Sequence, residues 1–199
     1  MLVKLEKTFP IDAPADVAWS LLQDIQSVAA CMPGAQITER VDDRHYQGQV
    51  GVRMGPASVT FKGTIEVQSV DATQRQLRLV GKGADTAGTS SASMDLTASI
   101  RSTADGKAEL TGLSEVTVNG KLVSFGGRLM GQVSDQILTQ FGENFAQRVL
   151  AQGQGATAQQ AAASVAAQPR EINALAFLWR VVVGFFKSLF GGKKPRSAG

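Results

Sequence analysis

Ser114 to Met130 read SEVTVNGKLVSFGGRLM, and within these residues the chain changes its period. Ser114, Val116 and Val118 alternate with Glu115, Thr117 and Asn119, the two-residue repeat of a strand with one buried face. Past Gly120 the repeat becomes helical: Leu122, Phe125, Leu129, Val133, Ile137, Phe141, Phe145 and Val149 form one apolar stripe over residues 121–150. A strand that runs straight into so long a helix predicts a sheet closed by its C-terminal helix. Gly126, Gly127 and Gly131 fall in the first turns of that helix, each costing roughly 1 kcal/mol relative to alanine. Three together point either to close backbone approach or to space left unfilled.

The residues before this stretch keep the period of two. Val50, Val52 and Met54 alternate with Gln49, Gly51 and Arg53, and Val59, Phe61, Ile65 and Val67 alternate with Thr60, Lys62, Thr64 and Glu66. Leu77 and Leu79 flank Arg78; Met94, Leu96, Ala98 and Ile100 share one face, as do Leu110, Gly112, Ser114 and Val116. Gly55-Pro56, residues 71–74 and Asp105-Gly106 separate the runs as turns, giving an antiparallel meander with one wet face. At the N-terminus residues 2–9 alternate as a further strand. Asp12 or Ala13 before Pro14, with Asp16 in the first turn, reads as a helix entry. That helix carries Val17, Ala18, Leu21 and Leu22, and a second short helix over residues 25–30 stops at Met32-Pro33-Gly34.

Beyond residue 150 the composition shifts. Residues 151–170 (AQGQGATAQQAAASVAAQPR) form a linker of Ala, Gln and Gly that spans about 25 Å as a flexible coil. Residues 171–199 (EINALAFLWRVVVGFFKSLFGGKKPRSAG) are an apolar helix with a basic end. This tail carries +4 of a chain whose net charge is +3, which leaves the first 170 residues at −1. Asn173, Arg180 and Lys187 recur every seven residues as one narrow polar stripe. The apolar remainder includes Leu175, Phe177, Leu178, Trp179, Val182, Val183, Phe185, Phe186, Leu189 and Phe190, followed by Lys193 and Lys194. Residues 172–190 make about 28 Å of helix, barely a bilayer span, and Arg180 near the midpoint costs roughly 2.5–3.5 kcal/mol in a crossing. An interfacial helix instead snorkels Arg180 and Lys187 and meets anionic headgroups with its basic end. The tail therefore reads as a peripheral anchor on the cytoplasmic face of the membrane.

Several chemistries find no residues to carry them. One histidine, His45, and one cysteine, Cys31, make a zinc or iron–sulfur site improbable and exclude an intramolecular disulfide. His45 reads as a surface or edge residue and Asp42-Asp43 as a solvated turn. Gly81, Gly83 and Gly88 match neither a dinucleotide fingerprint nor a P-loop, and no G-x-S-x-G elbow is present. The first 170 residues hold no basic patch interleaved with aromatics, which argues against nucleic acid. The N-terminus has charges at Lys4, Glu6 and Lys7 in place of an apolar signal-peptide core, so a cytosolic domain is expected.

Four segments in order carry a resemblance: CMPGA (31–35), VRMGPASVTFKGTIEV (52–67), AGTSSASMDL (87–96) and SEVTVNGKLVSFGGRLM (114–130). Over residues 1–150 they resemble the carbon monoxide dehydrogenase CoxG family, a branch of the START-like (SRPBCC) superfamily. The resemblance implies an α+β helix-grip fold in which a curved seven-stranded antiparallel sheet surrounds the long helix, with an apolar cavity between them. It also implies an accessory protein of molybdenum-containing dehydrogenases, with no catalytic residues of its own. The cavity lining expected on the strands is Val50, Val52, Met54, Phe61, Ile65, Met94, Leu96, Leu110, Gly112 and Val116; Phe125, Gly126, Leu129, Met130, Val133 and Ile137 supply the helix side. Gly63, Gly112 and Ser114, small residues on inward faces, are expected to leave room opposite the helix glycines, and the methionines to add adaptable lining.

Two functions suit this layout. One is a ligand carrier that holds a lipophilic molecule, a respiratory quinone such as ubiquinone or menaquinone, and shuttles it between membrane and dehydrogenase. The other is an adaptor that recruits the dehydrogenase to the membrane, with any cavity incidental. A cyclase of the kind found in the same superfamily needs acid–base groups inside the cavity, for which Ser114 and Tyr46 are thin support.

Overall fold

The structure, a computed structural model, describes residues 1–54 and 57–153. The linker beyond Gly153, every residue of the tail and the side chains of Met54 and Ala57 lie outside what is described. Strand β1 (Leu2–Ile11) is followed by helices α1 (Ala15–Gln23) and α2 (Ile25–Cys31). Strands β2 (Ala35–Arg40), β3 (His45–Met54), β4 (Ala57–Asp71), β5 (Gln76–Asp85), β6 (Ser90–Ser102) and β7 (Ala108–Gly120) make the meander. A 3₁₀ turn (Lys121–Phe125) leads into helix α3 (Gly126–Gln152).

The seven strands form one antiparallel sheet in the order β1-β7-β6-β5-β4-β3-β2. Val3 lies opposite Val116 and Phe9 opposite Leu110, so the first strand completes the sheet beside the last. Burial alternates along β1 as the sequence pattern demands, ending at the fully buried Ile11. Gly48, Gly63 and Gly83 face one another across β3, β4 and β5. This corrects the expectation for Gly63: a Cβ there runs into the carbonyl of Lys82. Its glycine serves close strand approach, the usual mark of a sharply bent sheet, and leaves no ligand space.

The two short helices cap one end of the sheet. Helix α1 starts at Ala15, with Pro14 extended ahead of it and no side-chain cap; Asp12 instead pairs with Lys107 at 2.8 Å. Asp24 caps α2, accepting from the backbone N–H groups of Gln26 and Ser27 (3.1 and 3.2 Å) and from the Ser27 hydroxyl (2.7 Å). Partial burial pushes its carboxyl up, but these hydrogen bonds, the Ser27 hydroxyl foremost, leave it below the usual carboxylate range.

The long helix is shorter than its apolar repeat suggests. The Lys121 N–H donates to the Thr89 carbonyl at 3.1 Å and the Leu122 N–H to Ser90 Oγ at 3.2 Å, pinning the turn to the start of β6. Gly126 then takes φ +76°, a conformation that side chains disfavour, and α3 begins there. The i+4 row from Leu122 to Val149 drifts about 40° around the axis at each step. The inward phase is set by heptads instead: Gly131, Leu138 and buried Phe145, flanked by Ser134 and Phe141, while Gly127 in the first turn is exposed. Gln132, Asp135, Gln136, Thr139 and Glu143 are exposed on the opposite side.

Candidate functional site

The interior is packed differently at its two ends. Where α1, α2 and the C-terminal half of α3 meet the sheet, Ile11, Trp19, Leu21, Leu22, Leu77, Ile100, Leu110, Phe145 and Val149 form a sealed core. Phe141 stacks between Phe9 and Phe145 at ring-centroid distances of 6.1 and 5.9 Å. A Cβ on Gly142 collides with the Phe9 ring, so here the helix glycine is needed for contact. Asn144 Nδ2 donates to the Cys31 carbonyl at 2.9 Å and ties α3 to α2.

Toward the start of α3 the same two layers stay open. Only Val118 and Leu122 are fully buried in this second cluster, with Val52, Val59, Phe61, Val116, Met130 and Val133 half-buried around them. Ile65, Met94 and Leu96 border the sealed core and remain half-buried too. On the helix side Gly131 and Ser134 are half-buried, and a Cβ on Gly131 meets nothing within 4 Å; Gly127, one turn earlier, is exposed. On the sheet side a Cβ on Gly112 meets only Leu96 Cδ1, at 3.8 Å. Interior side chains normally close-pack. A row of apolar residues left half-exposed beneath vacant helix positions is therefore an apolar cleft.

The residues expected to line a cavity divide accordingly. Val52, Phe61, Val116, Met130 and Val133 come together around Val118 and Leu122; Ile65, Met94, Leu96 and Gly112 continue the sheet wall. Val50 lies opposite Phe61 across β3 and β4, while Leu129 and Ile137 are on the flanks of α3. Leu110 is a correction: at 2% exposure it is sealed in the core at the far end, because β7 runs the whole length of the interior. Phe125 is another: at 40% exposure it stands on the outer rim of the turn before α3. Gly126 holds the turn by its backbone conformation. Val59, Val118, Leu122 and Ser134 were missed, whereas Gly131 is one of the helix glycines expected to leave room. Val59 and Val118 had the right alternation, Leu122 needed the 3₁₀ turn and Ser134 the heptad phase of α3.

Two buried polar side chains of the interior are engaged within the protein. Ser90 is buried and accepts the Leu122 N–H. The buried Tyr46 points its hydroxyl at the Asp43 carbonyl, 3.3 Å away, so it is not aimed at the cleft. Lys7, on the inner face of β1, reaches Asp135 of α3 at 2.7 Å and bridges sheet to helix at the edge. Cys31 is fully buried, and desolvation pushes its thiol up to about 11, which leaves it inert. His45 is exposed, with Nδ1 2.8 Å from the Asp42 carboxylate. Among the described residues no group of three His, Cys, Asp or Glu could hold a metal. None of the helices among them is long and apolar enough to cross a membrane.

A second concavity lies on the opposite, outer face of the sheet, about 700 Å³ in volume. It is walled by Arg78 and Asp95, bonded at 2.7 Å, and by Lys4 and Glu115, also at 2.7 Å, with Leu113 47% exposed between them. With these two ion pairs and the Glu6 carboxylate in its walls, it does not suit an apolar ligand.

Sheet, long helix and cleft define a helix-grip protein whose distinguishing feature is apolar space between the two layers. The profile of the carbon monoxide dehydrogenase CoxG family matches residues 8–150, and the chain belongs to that family. Solved structures share the START-like fold. A conserved protein from Geobacillus kaustophilus is 17% identical with TM-score 0.66, over 74% of this chain and 95% of its own. The Zhui aromatase/cyclase from Streptomyces is 13% identical with TM-score 0.56, over 75% of this chain and 94% of its own. A START superfamily protein from Mycobacterium smegmatis is 17% identical with TM-score 0.51, over 73% of this chain and 96% of its own. No curated protein matches the chain.

Proposed function

We propose that this protein is a membrane-tethered accessory of a molybdenum-containing carbon monoxide dehydrogenase-type enzyme, and that its cleft carries a lipophilic molecule between bilayer and enzyme. The observation that carries the reading is the cleft: apolar side chains are left half-exposed around Val118 and Leu122, and space is open over the half-buried Gly131. An apolar lining with few free polar groups favours a ligand that is mostly hydrocarbon. Membership of the CoxG family points to the dehydrogenase as partner. A dehydrogenase must discard electrons, and a respiratory quinone, ubiquinone or menaquinone, combines an apolar body with that redox role. The tail, with its apolar residues and Lys193 and Lys194, keeps the domain beside the bilayer where such molecules reside. The protein itself acts as a binding component and performs no reaction.

The test is transfer. Full-length protein incubated with quinone-loaded vesicles and then separated from them should carry quinone into the soluble fraction; protein that emerges without it contradicts the carrier. A second reading, an adaptor that grips the dehydrogenase, draws support from the outer concavity around Leu113. On that reading Leu113→Asp breaks recruitment, whereas changes inside the cleft leave electron transfer intact.

A further inference from the structure

Val123 and Phe125 stand 38% and 40% exposed on a five-residue turn whose buried member, Leu122, already supplies its contact with the core. The turn is not a loose loop. Gly120 and Gly126 bracket it with φ +83° and +76°, a Cβ on Gly120 runs into the Thr89 carbonyl, and two hydrogen bonds fasten its first residues to Thr89 and Ser90. The backbone is thus held in a shape that presents two apolar side chains to solvent, on the same turn whose Leu122 belongs to the cluster with Met130 and Val133.

Cations free of ion pairs stand around these side chains. Lys121 and Arg128 are exposed on either side of them, and Arg53 is exposed near the end of β3. None of the three makes an ion pair among the described residues. The Met1 amino group is fixed nearby, donating to the Val118 carbonyl at 2.6 Å. The acids of this end are committed: Glu115 to Lys4 at 2.7 Å, and Asp85 to the Thr89 hydroxyl and to backbone N–H groups of Thr89 and Ser90. At the far end of the sheet, by contrast, the cations Arg40, Arg75 and Lys107 are paired with Asp43, Asp16 and Asp12.

Apolar tips ringed by unpaired cations complement an anionic bilayer, where the tips enter the headgroup layer and the cations meet phosphates. We propose that the folded domain docks directly on anionic lipid through residues 121–128, which sets the open end of the cleft against the bilayer. This contact is separate from the tail and does not depend on which ligand the cleft holds.

Full-length protein with Val123→Cys, labelled with an environment-sensitive fluorophore, tests it; the buried Cys31 stays unlabelled. Vesicles of phosphatidylcholine with phosphatidylglycerol should raise and blue-shift emission at position 123 and leave a label at Val70→Cys, toward the far end of the sheet, unchanged. Adding Lys121→Ala and Arg128→Ala should lower the docked-to-undocked ratio roughly thirtyfold, about fivefold for each charge removed. Protein that sediments with the vesicles while position 123 stays unchanged overturns the docking but leaves the tail anchor standing. Protein that neither sediments nor shifts overturns both. Equal shifts at 123 and 70, an equal shift on phosphatidylcholine alone, or a shift that grows with protein concentration without vesicles each overturns the proposal, the last in favour of a second copy of the chain.

Discussion

Filling the cleft from the helix side separates a ligand site from an incidental gap. Gly131 lies on the inward heptad of α3, two turns before Leu138 and four before Phe145, and a Cβ there meets nothing within 4 Å. Gly131→Phe therefore enters space and not a neighbour. The helix gains about 0.5 kcal/mol, because phenylalanine is a better helix former than glycine, so the melting temperature holds or rises slightly. A ligand in the cleft, however, loses roughly 100 Å² of apolar contact to the new ring. At about 25 cal/mol per Å² that is about 2.5 kcal/mol, a roughly seventyfold weaker affinity. Equilibrium titration with ubiquinone and menaquinone, alongside thermal melting, reads both quantities. Unchanged quinone affinity in a stable variant refutes the cleft as the binding site. A variant destabilised by several kcal/mol refutes the open space itself.

Other outcomes follow from the same packing. Gly142→Ala should cost about 1–3 kcal/mol by overpacking against the Phe9 ring, measured by urea unfolding, so the glycines at the two ends of α3 respond with opposite signs. Asp24→Ala should cost about 1 kcal/mol through loss of the α2 cap. Burial raises the Cys31 thiol to about 11, so above its ordinary range the unfolded chain loses this proton first and stability falls as pH rises from about 9 to about 11. The full loss is about 2.7 kcal/mol at 1.36 kcal/mol per unit, about 2 kcal/mol of it by pH 10.5, and Cys31→Ala should remove that slope in denaturant titrations at pH 8 and 10.5. Lys193→Ala with Lys194→Ala should weaken binding of the full-length chain to anionic vesicles roughly thirtyfold and leave binding to phosphatidylcholine unchanged, read by co-sedimentation.

The sheet was legible because its signal is local. Alternation at Val50–Met54, Val59–Val67 and Met94–Ile100 placed the strands, and the switch of period after Gly120 placed the long helix. The failures come from physics that sequence spacing does not carry. An i+4 row looks like one face but drifts around the axis, so Leu129 fell on a flank and Ser134 toward the inner face. The break before α3 depends on hydrogen bonds to Thr89 and Ser90, some thirty residues upstream. Glycine was ambiguous in the same way. Gly63 and Gly131 look equivalent as letters, yet one faces the Lys82 carbonyl and the other faces vacant space, a difference set by which backbone lies across from each. Leu110 and Val116 share a face of β7, but only their position along it decides which is sealed and which borders the cleft.

The central claim is that the cleft between the sheet and the first turns of α3 holds a lipophilic molecule. Mass spectrometry of organic extracts from purified full-length protein tests it most directly, with the Gly131→Phe variant extracted in parallel. The account predicts a quinone present near one per chain and lost from the variant. Extracts that contain no quinone, lipid or other apolar compound, or that are the same for both proteins, contradict it.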